Sequence, residues 1–308
     1  MERPIILLDC DPGHDDVVAL LLAAQHTDLR AVTTVAGNAP LSATTRNALG
    51  SLQIFGVDVP VHAGADRPLV APPRHAPEIH GESGLAGTTL PDQIGDPRPE
   101  PAVERILEES RATPGLWIVA TGPLTNVATA LRADPGLAGR IAGISVMGGG
   151  IDFGNVTPAA EFNFWADPHA AQIVVSADTR VLICGLDVTH QVLADDAFAA
   201  HVRTMDTPVA HFLSDVITAF VAAHGPLIEG EPVGPVHDAC AVLALTHPEL
   251  FTFTDFHVAV DTGDSVAAGT LIVDRRGTAN QADVNAAVAV AVDGEAVMRL
   301  IEDAIRAG

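Results

Sequence analysis

Four carboxylates stand within eight residues near the start of the chain. The segment Asp9–Asp16 reads Asp-Cys-Asp-Pro-Gly-His-Asp-Asp and directly follows the apolar run Ile5–Leu8. Negative charges this close repel one another unless a cation or a shared proton compensates them. Oxygen ligands of this kind suit a hard cation such as Ca²⁺ or Mg²⁺ better than zinc. The segment is therefore predicted to be a functional site, with turn formation and helix capping as the simpler alternative.

The elements around these acids predict that they lie between a strand and a helix. Ile5–Leu8 has the length and composition of a buried strand, and Val17–Ala24 is predicted to be a helix. Strand-like and helix-like segments then alternate, which is typical of a parallel sheet with helices on both faces. The further predicted elements are strands at Leu29–Val35, Leu116–Ala120, Ile141–Met147 and Val181–Gly185, and helices at Leu41–Ile54, from Pro123 through Leu131, at Pro168–Ser176 and at Ala239–Leu245.

The predicted fold class is α/β, a mainly parallel, Rossmann-like open sheet with helices on both faces and an antiparallel edge. Two late segments, Phe251–Val260 and Gly269–Val273, are predicted to form that edge. The stretch Gly64–Pro101 is rich in Pro and Gly and exceeds ordinary loop length, which favours a functional or lid-like segment. Since no linker clearly divides the chain, we expect residues 1–308 to form a single domain.

Composition argues against several classes of function. The net charge is −23, from 16 basic and 39 acidic residues, which disfavours binding to nucleic-acid backbones and anionic membranes. No apolar run is long enough to span a membrane, and the N-terminus does not resemble a signal peptide. The three cysteines form neither a disulfide framework nor a zinc pattern. We expect a cytoplasmic protein that acts on a small molecule, without a nucleic-acid or membrane partner.

Further polar side chains follow the other predicted strands. The carboxyl ends of parallel strands line one crevice, so we expect these side chains to converge with the opening aspartates. Asp238, preceded by His237, comes just before the helix Ala239–Leu245, whose dipole would stabilise an anion there. The residues concerned are Asn38, Thr121, Asn155, Glu161, Asn163, His237 and Asp238.

Seven short segments that contain these polar residues, taken in their order along the chain, resemble motifs of the inosine-uridine-preferring nucleoside hydrolase family. Members of that family cleave the N-glycosidic bond of ribonucleosides with water, which gives ribose and a free base, and they hold a Ca²⁺ in the site. The resemblance therefore implies a nucleoside hydrolase fold and a hydrolytic enzyme with a ribonucleoside substrate. It extends from residue 5 to about residue 245 and rests on the blocks Asp9–Asp16, Thr33–Asn38, Thr121–Asn126, Met147–Gly149, Gly154–Asn155, Glu161–Asn163 and His237–Asp238.

The resemblance also implies roles for individual residues at the sugar end of the site. Ca²⁺ would be held by Asp11, Asp16, Asp238 and the backbone carbonyl of Thr121, within the six to eight oxygen ligands that this ion prefers. Asp11 would also be the general base toward the attacking water, in a reaction with an oxocarbenium-like transition state. Asp9 is expected to be supporting structure. The residues implied in substrate binding are Asp15, Asn38, Met147, Asn155, Glu161 and Asn163.

Two histidines are expected at the base end of the site. His237 resembles the family histidine that protonates the leaving base, and His80 belongs to a His-Gly-x-x-Gly block near the base pocket. Many relatives place a Tyr, and often an Arg, ahead of the His-Asp pair, whereas this chain contains no Tyr. His224 or Phe220 would have to fill that place, and the preferred base is left open. Family members are usually dimers or tetramers, so the resemblance implies a homodimer or homotetramer.

Three other functions are compatible with the sequence. The protein could be a non-catalytic calcium-dependent nucleoside or sugar binder, or a hydrolase of another ribosyl compound. A haloacid-dehalogenase-type phosphatase also opens with a strand and Asp-x-Asp, and Asp264 superficially resembles its later acidic motif. However, Asp11 is followed by Pro-Gly rather than Gly-Thr, and no second acid follows Asp264 at the needed distance, which disfavours the phosphatase.

Overall fold

The computed structural model describes residues 3–225, 232–276 and 284–308. Its strands are β1 (Ile5–Cys10), β2 (Asp28–Thr34), β3 (Val61–Ala63), β4 (Trp117–Ala120), β5 (Gly143–Met147), β6 (Val181–Cys184), β7 (Leu193–Ala194), β8 (Gly234–Pro235), β9 (Phe251–Phe256), β10 (Val258–Val260), β11 (Leu271–Val273) and β12 (Ala286–Val292). Its helices are α1 (His14–His26), α2 (Leu41–Ile54), α3 (Pro77–His80), α4 (Ala102–Ala112), α5 (Thr125–Ala133), α6 (Phe162–Ala166), α7 (Pro168–Val175), α8 (Leu186–Thr189), α9 (Asp196–Arg203), α10 (Pro208–His224), α11 (Ala239–Thr246) and α12 (Gly294–Ala307).

The main sheet has eight strands in the order β3-β2-β1-β4-β5-β6-β12-β9. Neighbouring strands are parallel throughout, except that β9 pairs antiparallel with β12 at one edge. The predicted fold class, a mainly parallel open sheet with an antiparallel edge, is confirmed. Strands β2 and β3 extend the sheet on one side of β1, while β4 continues on the other. This reversal of strand order creates a crevice beyond the carboxyl ends of β1 and β4, where open α/β sheets bind their ligands.

The core explains why β1 is a continuous apolar run. Successive side chains of a strand point to opposite faces of a sheet. Ile6 and Leu8 accordingly pack into one hydrophobic cluster, together with α1 and α11, whereas Leu7 packs into the other, with Ile118 of β4. All four side chains are fully buried. Helices on both faces thus fix β1 and with it the direction of the acidic segment that follows.

Element boundaries differ from the predictions where local patterns are weak. Helix α1 begins at His14 rather than Val17, so Asp15 and Asp16 lie in its first turn, where carboxylates are favoured by the helix dipole. Strand β12 was not predicted, because its sequence of Ala and Val shows no alternation of polarity. Helix α12 was also missed.

The predicted antiparallel edge is only partly correct. Phe251–Phe256 forms the edge strand of the main sheet, on β12. Val258–Val260 instead pairs with Leu271–Val273 in a separate two-stranded sheet. The chain leaves the main sheet between the two strands, at His257. The segment Gly269–Val273 was therefore wrongly assigned to the edge of the main sheet.

The long segment 64–101 is attached to the main body at several points. The backbone N–H of Leu69 donates to Asp167 at 2.8 Å, and the guanidinium of Arg74 lies 3.9 Å from the ring centre of Trp165. His75 contacts the carbonyl of Gly37 through Nδ1 at 2.9 Å. These contacts place α3 and its last residue, His80, over the crevice; movement of the segment as a lid stays a prediction. Across the described residues, every helix is too short or too polar to cross a membrane.

Candidate active site

Asp11 lies just beyond β1 with its carboxylate held on one side. The backbone N–H of Asn38 donates to its Oδ2 at 2.7 Å. Oδ1 is buried and has no hydrogen-bond partner among the described residues. Gly37 and Gly122 pack against the same carboxylate: a Cβ at Gly37 would lie 2.0 Å from Oδ2, and one at Gly122 would lie 2.4 Å from Oδ1. Glycine at these two positions leaves the space that the carboxylate occupies.

Asp16 has a full set of hydrogen-bond donors. Its Oδ1 accepts from the hydroxyl of Thr121 at 2.9 Å and from the backbone N–H of Asp11 at 3.3 Å. Its Oδ2 accepts from the backbone N–H of Gly13 and from the side-chain amide of Asn38, both at 3.0 Å. Asp16 thereby joins the ends of β1, β2 and β4 and fixes the spacing of the acidic residues.

Three carboxylates meet in one buried group. Oxygens of Asp15, Asp16 and Asp238 all lie within 4.8 Å of one another. Burial, reinforced by the neighbouring Asp16, raises the pKa of Asp15 to about 8. Burial and the other aspartates raise the pKa of Asp238 well above its usual range. Carboxyls under this repulsion are stabilised by shared protons or by a cation.

The donor set fits a hard cation. All the candidate ligands are oxygen atoms, the choice that Ca²⁺ and Mg²⁺ prefer. Asp11 adds a buried oxygen without a partner, and its pKa is raised well above the usual range by burial and by Asp16. The three-carboxylate group contains Asp15 rather than Asp11, and the predicted carbonyl ligand of Thr121 accepts from the amide of Asn163 at 2.7 Å. The fold thus assembles a group of buried oxygen atoms whose chemistry fits a hard cation, with Asp11 beside the three-carboxylate group.

A cavity of about 1060 Å³ opens next to these acids. Asp11 and Asp16 lie beneath it, and Asp15 and Asp238 reach its wall. Its volume is close to the upper limit of the range for small-molecule sites. The other predicted site residues that line it are Asn38, His80, Thr121, Met147, Asn155, Glu161, Asn163 and His237.

Glu161 and Asn163 are held by contacts around the start of α6. Glu161 caps this helix, and its carboxylate accepts backbone N–H groups of Gly149, Asn163 and Phe164 at 2.8, 2.9 and 3.2 Å. Burial nevertheless raises the pKa of Glu161 to about 7. The amide nitrogen of Asn163 donates to the carbonyls of Thr121 and Met147, which leaves its oxygen for a ligand. Asn155 lies at the exposed rim, where its oxygen accepts from the backbone of Phe162.

The end of the cavity predicted to hold the base is a group of aromatic rings. His80 stacks on His14 and on Phe220 at centroid distances of 5.2 and 5.7 Å, and His224 meets Phe220 edge-on at 4.5 Å. His237 lies beyond His224, at 6.4 Å. Burial lowers the pKa values of His80 and His237 well below their usual range and that of His224 to about 4. These rings are therefore neutral at physiological pH.

Asp9 lies one layer behind the site. Its Oδ1 accepts from the Thr33 hydroxyl at 2.6 Å and from the Asn126 amide at 2.8 Å, and burial raises its pKa to about 7. Asn126 also donates to the carbonyl of Thr34. These contacts tie β1, β2 and α5 together beneath the acids, as expected of a supporting residue.

Comparison with known proteins identifies the family. Residues 6–299 match the family described as inosine-uridine preferring nucleoside hydrolase. The chain belongs to this family. It is 41% identical to the pyrimidine-specific ribonucleoside hydrolase RihA of Shewanella woodyi, over 99% of this chain and 98% of the relative, and 42% identical to the RihA of Photobacterium profundum, over 89% and 90%. The plant nucleoside hydrolase PpNRh1 has a similar structure, with a TM-score of 0.92, 30% identity and coverage of 99% and 100% of the two chains.

As a member of the nucleoside hydrolase family, the protein is an enzyme, a hydrolase of N-glycosidic bonds. The phosphatase alternative is wrong. Asp264, which superficially resembled the later acidic motif of such a phosphatase, is exposed and lies outside the lining of the cavity. The resemblance inferred from the sequence is confirmed.

Some residues of the site in this nucleoside hydrolase were not found from the sequence. His14 stood inside the acidic motif without an assigned role; it is the first residue of α1, and its ring stacks on that of His80, which lines the cavity. His190 lines the cavity and lies 5.4 Å from the ring of His237. It follows α8 in a segment without a polar pattern, so no local signal pointed to it. Phe153 packs against His190 at the rim.

Proposed function

We propose that the protein hydrolyses pyrimidine ribonucleosides to ribose and the free base in a Ca²⁺-dependent reaction. The observation that carries this proposal is the buried group of Asp15, Asp16 and Asp238, two of which, Asp15 and Asp238, reach the wall of the cavity. Oδ1 of Asp11 is buried without a hydrogen-bond partner among the described residues, which supports its proposed place beside the metal and the attacking water.

The pyrimidine preference rests on the relatives. Two proteins that share 41% and 42% identity with this chain are described as pyrimidine-specific. A structurally similar hydrolase from Gardnerella vaginalis, described as purine-preferring, shares 29% identity at a TM-score of 0.92 and coverage of 98% of both chains. The similarity to the pyrimidine-specific protein of Shewanella woodyi extends over 99% of this chain.

The metal would be held at the sugar end. Asp16 and Asp238, with Asp11 and the Thr121 carbonyl, are the proposed ligands, and Asp15 adjoins them in the same carboxylate group. Bound Ca²⁺ supplies a positive charge that compensates these carboxylates and favours deprotonation of water nearby. Asp15 and the free oxygen of Asn163 are proposed to accept hydrogen bonds from the ribose hydroxyls. Asn38 and Met147 would contact the sugar, with Asn155 and Glu161 at its 5′ end.

The reaction joins a water oxygen to C1′ of the ribose and breaks the bond from C1′ to the base. Asp11 accepts a proton from the attacking water through Oδ1, the oxygen without a hydrogen-bond partner. Positive charge develops on the sugar as the bond lengthens, and the surrounding carboxylates stabilise it. The base leaves with the electron pair of the broken bond and takes up a proton, which balances the one transferred to Asp11. His80 and His237 face the departing base.

The test measures ribose release from uridine, cytidine, inosine and p-nitrophenyl riboside, before and after treatment with a chelator. We expect turnover of uridine and cytidine well above that of inosine, loss of turnover after chelation, and recovery with Ca²⁺. Binding of uridine without ribose release would support the non-catalytic alternative. Release from p-nitrophenyl riboside but from none of the nucleosides would favour another ribosyl substrate. A homodimer or homotetramer and a cytoplasmic location stay predictions; light scattering of the purified protein measures the first.

A further inference from the structure

A buried threonine lies directly behind one of the histidines of the base end. Thr189 is the last residue of α8 and is fully buried. Its Oγ1 lies 2.7 Å from Nδ1 of His237, within the range of a strong hydrogen bond. His237 lines the cavity on its other side and is only 7% exposed. The contact therefore joins the end of α8 to a ring that lines the cavity.

The direction of this hydrogen bond follows from the surroundings of the hydroxyl. A threonine hydroxyl either donates or accepts, and an imidazole nitrogen accepts only when it carries no hydrogen. Nδ1 of His237 is the only partner of the Thr189 hydroxyl among the described residues. If Nδ1 donated, the hydroxyl hydrogen would be buried without an acceptor, which is costly. The hydroxyl of Thr189 therefore donates, and Nδ1 of His237 accepts.

With Nδ1 engaged as an acceptor, the ring carries its hydrogen on Nε2. Nδ1 is turned toward α8, and Nε2 has no hydrogen-bond partner among the described residues. The rings of His190 and His224 flank His237 at 5.4 and 6.4 Å and limit its rotation. The ring thus presents an N–H group to the cavity rather than a lone pair.

We propose that Thr189 is a positioning residue, which holds His237 in the tautomer that donates a hydrogen bond from Nε2 to a carbonyl oxygen of the departing base. This inference rests on the proposed hydrolysis of pyrimidine nucleosides. As the glycosidic bond breaks, its electron pair spreads onto the carbonyl oxygens of the base. A fixed N–H donor stabilises that charge, whereas a lone pair would repel it.

The first test compares two substitutions on two substrates. Thr189→Val keeps the shape of the side chain and removes the hydroxyl, and Thr189→Ser keeps the hydroxyl. We expect Thr189→Val to lower kcat on uridine about tenfold and to leave kcat on p-nitrophenyl riboside within about twofold, since nitrophenolate leaves without help from a donor. Thr189→Ser should retain the wild-type ratio of the two rates. Equal losses on both substrates in Thr189→Val, with its melting temperature unchanged, would overturn the inference.

The second test observes the tautomer without turnover. Nitrogen NMR of protein labelled with ¹⁵N-histidine separates rings with hydrogen on Nε2 from rings with hydrogen on Nδ1, and the spectrum of His237→Gln identifies the His237 signals. We expect hydrogen on Nε2 in the wild type and in Thr189→Ser, and a mixture in Thr189→Val. Hydrogen on Nδ1 in the wild type would contradict the proposed role of Thr189 and would leave the proposed hydrolysis unaffected. A wild-type protein that cleaves neither substrate would instead contradict the proposed hydrolysis.

Discussion

The backbone N–H of Asn38 holds Oδ2 of Asp11 at 2.7 Å, while Oδ1 of the same carboxylate is buried without a hydrogen-bond partner among the described residues. A buried polar atom without a partner destabilises a fold, so such atoms are concentrated where function requires them. Here the free oxygen lies between two strand ends, next to Asp16. The arrangement leaves one oxygen of Asp11 available to water while the other is fixed by the backbone.

Asp11→Asn tests whether Oδ1 of Asp11 acts as the base while Oδ2 is held by the backbone N–H of Asn38. The amide oxygen will keep the hydrogen bond from Asn38, so the NH₂ group will take the place of Oδ1, where a base is required. We expect kcat on uridine to fall by about 10²- to 10⁴-fold, the range for loss of a general base. Metal-free Asp11→Asn should also melt at a higher temperature than the wild type, since burial raises the pKa of Asp11 and disfavours its charge. Asp255→Asn, on an exposed part of β9, is the control and should change neither quantity.

Gly122→Ala tests whether turnover depends on the position of the Asp11 carboxylate. The added Cβ would lie 2.4 Å from Oδ1 of Asp11 and 3.0 Å from Val35, so the carboxylate must move. A misplacement of about 1 Å at a reacting group lowers a rate about 100-fold. We therefore expect kcat of Gly122→Ala on uridine to fall about 100-fold. Gly95→Ala is the matched control, because nothing lies within 4 Å of its Cβ position. Wild-type turnover in Gly122→Ala would show that Asp11 tolerates displacement and would argue against its role as the base.

The sequence predicted which residues meet at the acidic end of the cavity more completely than those at its aromatic end, and the reason is topological. Asp11, Asn38, Thr121 and Met147 each follow or end a parallel strand, and the strand pattern alone brings them to one edge of the sheet. The rings at the predicted base end come from α3, α10, the first turn of α1, the residue after α8 and the segment before α11. No periodicity indicates how these elements approach one another. The contact of Thr189 with His237 joins residues 48 positions apart. Likewise, that Asp15 rather than Asp11 completes the three-carboxylate group depends on the position of Asp238 at the start of α11.

Calcium should stabilise the protein through the same carboxylates. A ligand at a hundredfold excess over its Kd adds about 2.7 kcal/mol to the free energy of unfolding. We expect Ca²⁺ to raise the melting temperature of the chelator-treated wild type. In Asp238→Asn, most of this increase should be lost.

Without metal, Asp238→Asn should be more stable than the wild type, because one of three mutually repelling carboxylates is removed. Calorimetric titration with Ca²⁺ gives the affinity directly, and Asp264→Asn, on the exposed surface, is the control. Equal Ca²⁺ stabilisation of Asp238→Asn and wild type would place the ion elsewhere.

Glu161 should make the stability of the metal-free protein depend on pH. Burial raises its pKa to about 7 from an ordinary value of 4.5, so the folded protein binds a proton that the unfolded chain releases. The stability that this protonation supplies is fully present below pH 4.5 and is lost as the pH rises through about 7. The difference in pKa corresponds to about 3 kcal/mol.

Glu161→Gln isolates that contribution, because the amide has no charge to bury. Denaturant unfolding of both proteins in chelator, at several pH values between 4.5 and 8, measures the difference in their free energies of unfolding. The substitution removes one of the two oxygens that accept from Gly149, Asn163 and Phe164, which lowers the stability of the variant at every pH by a similar amount. Relative to wild type, the variant should therefore gain up to about 3 kcal/mol as the pH rises from 4.5 to above 7. A difference that does not change with pH would mean that the three backbone donors keep the Glu161 carboxylate ionised despite its burial.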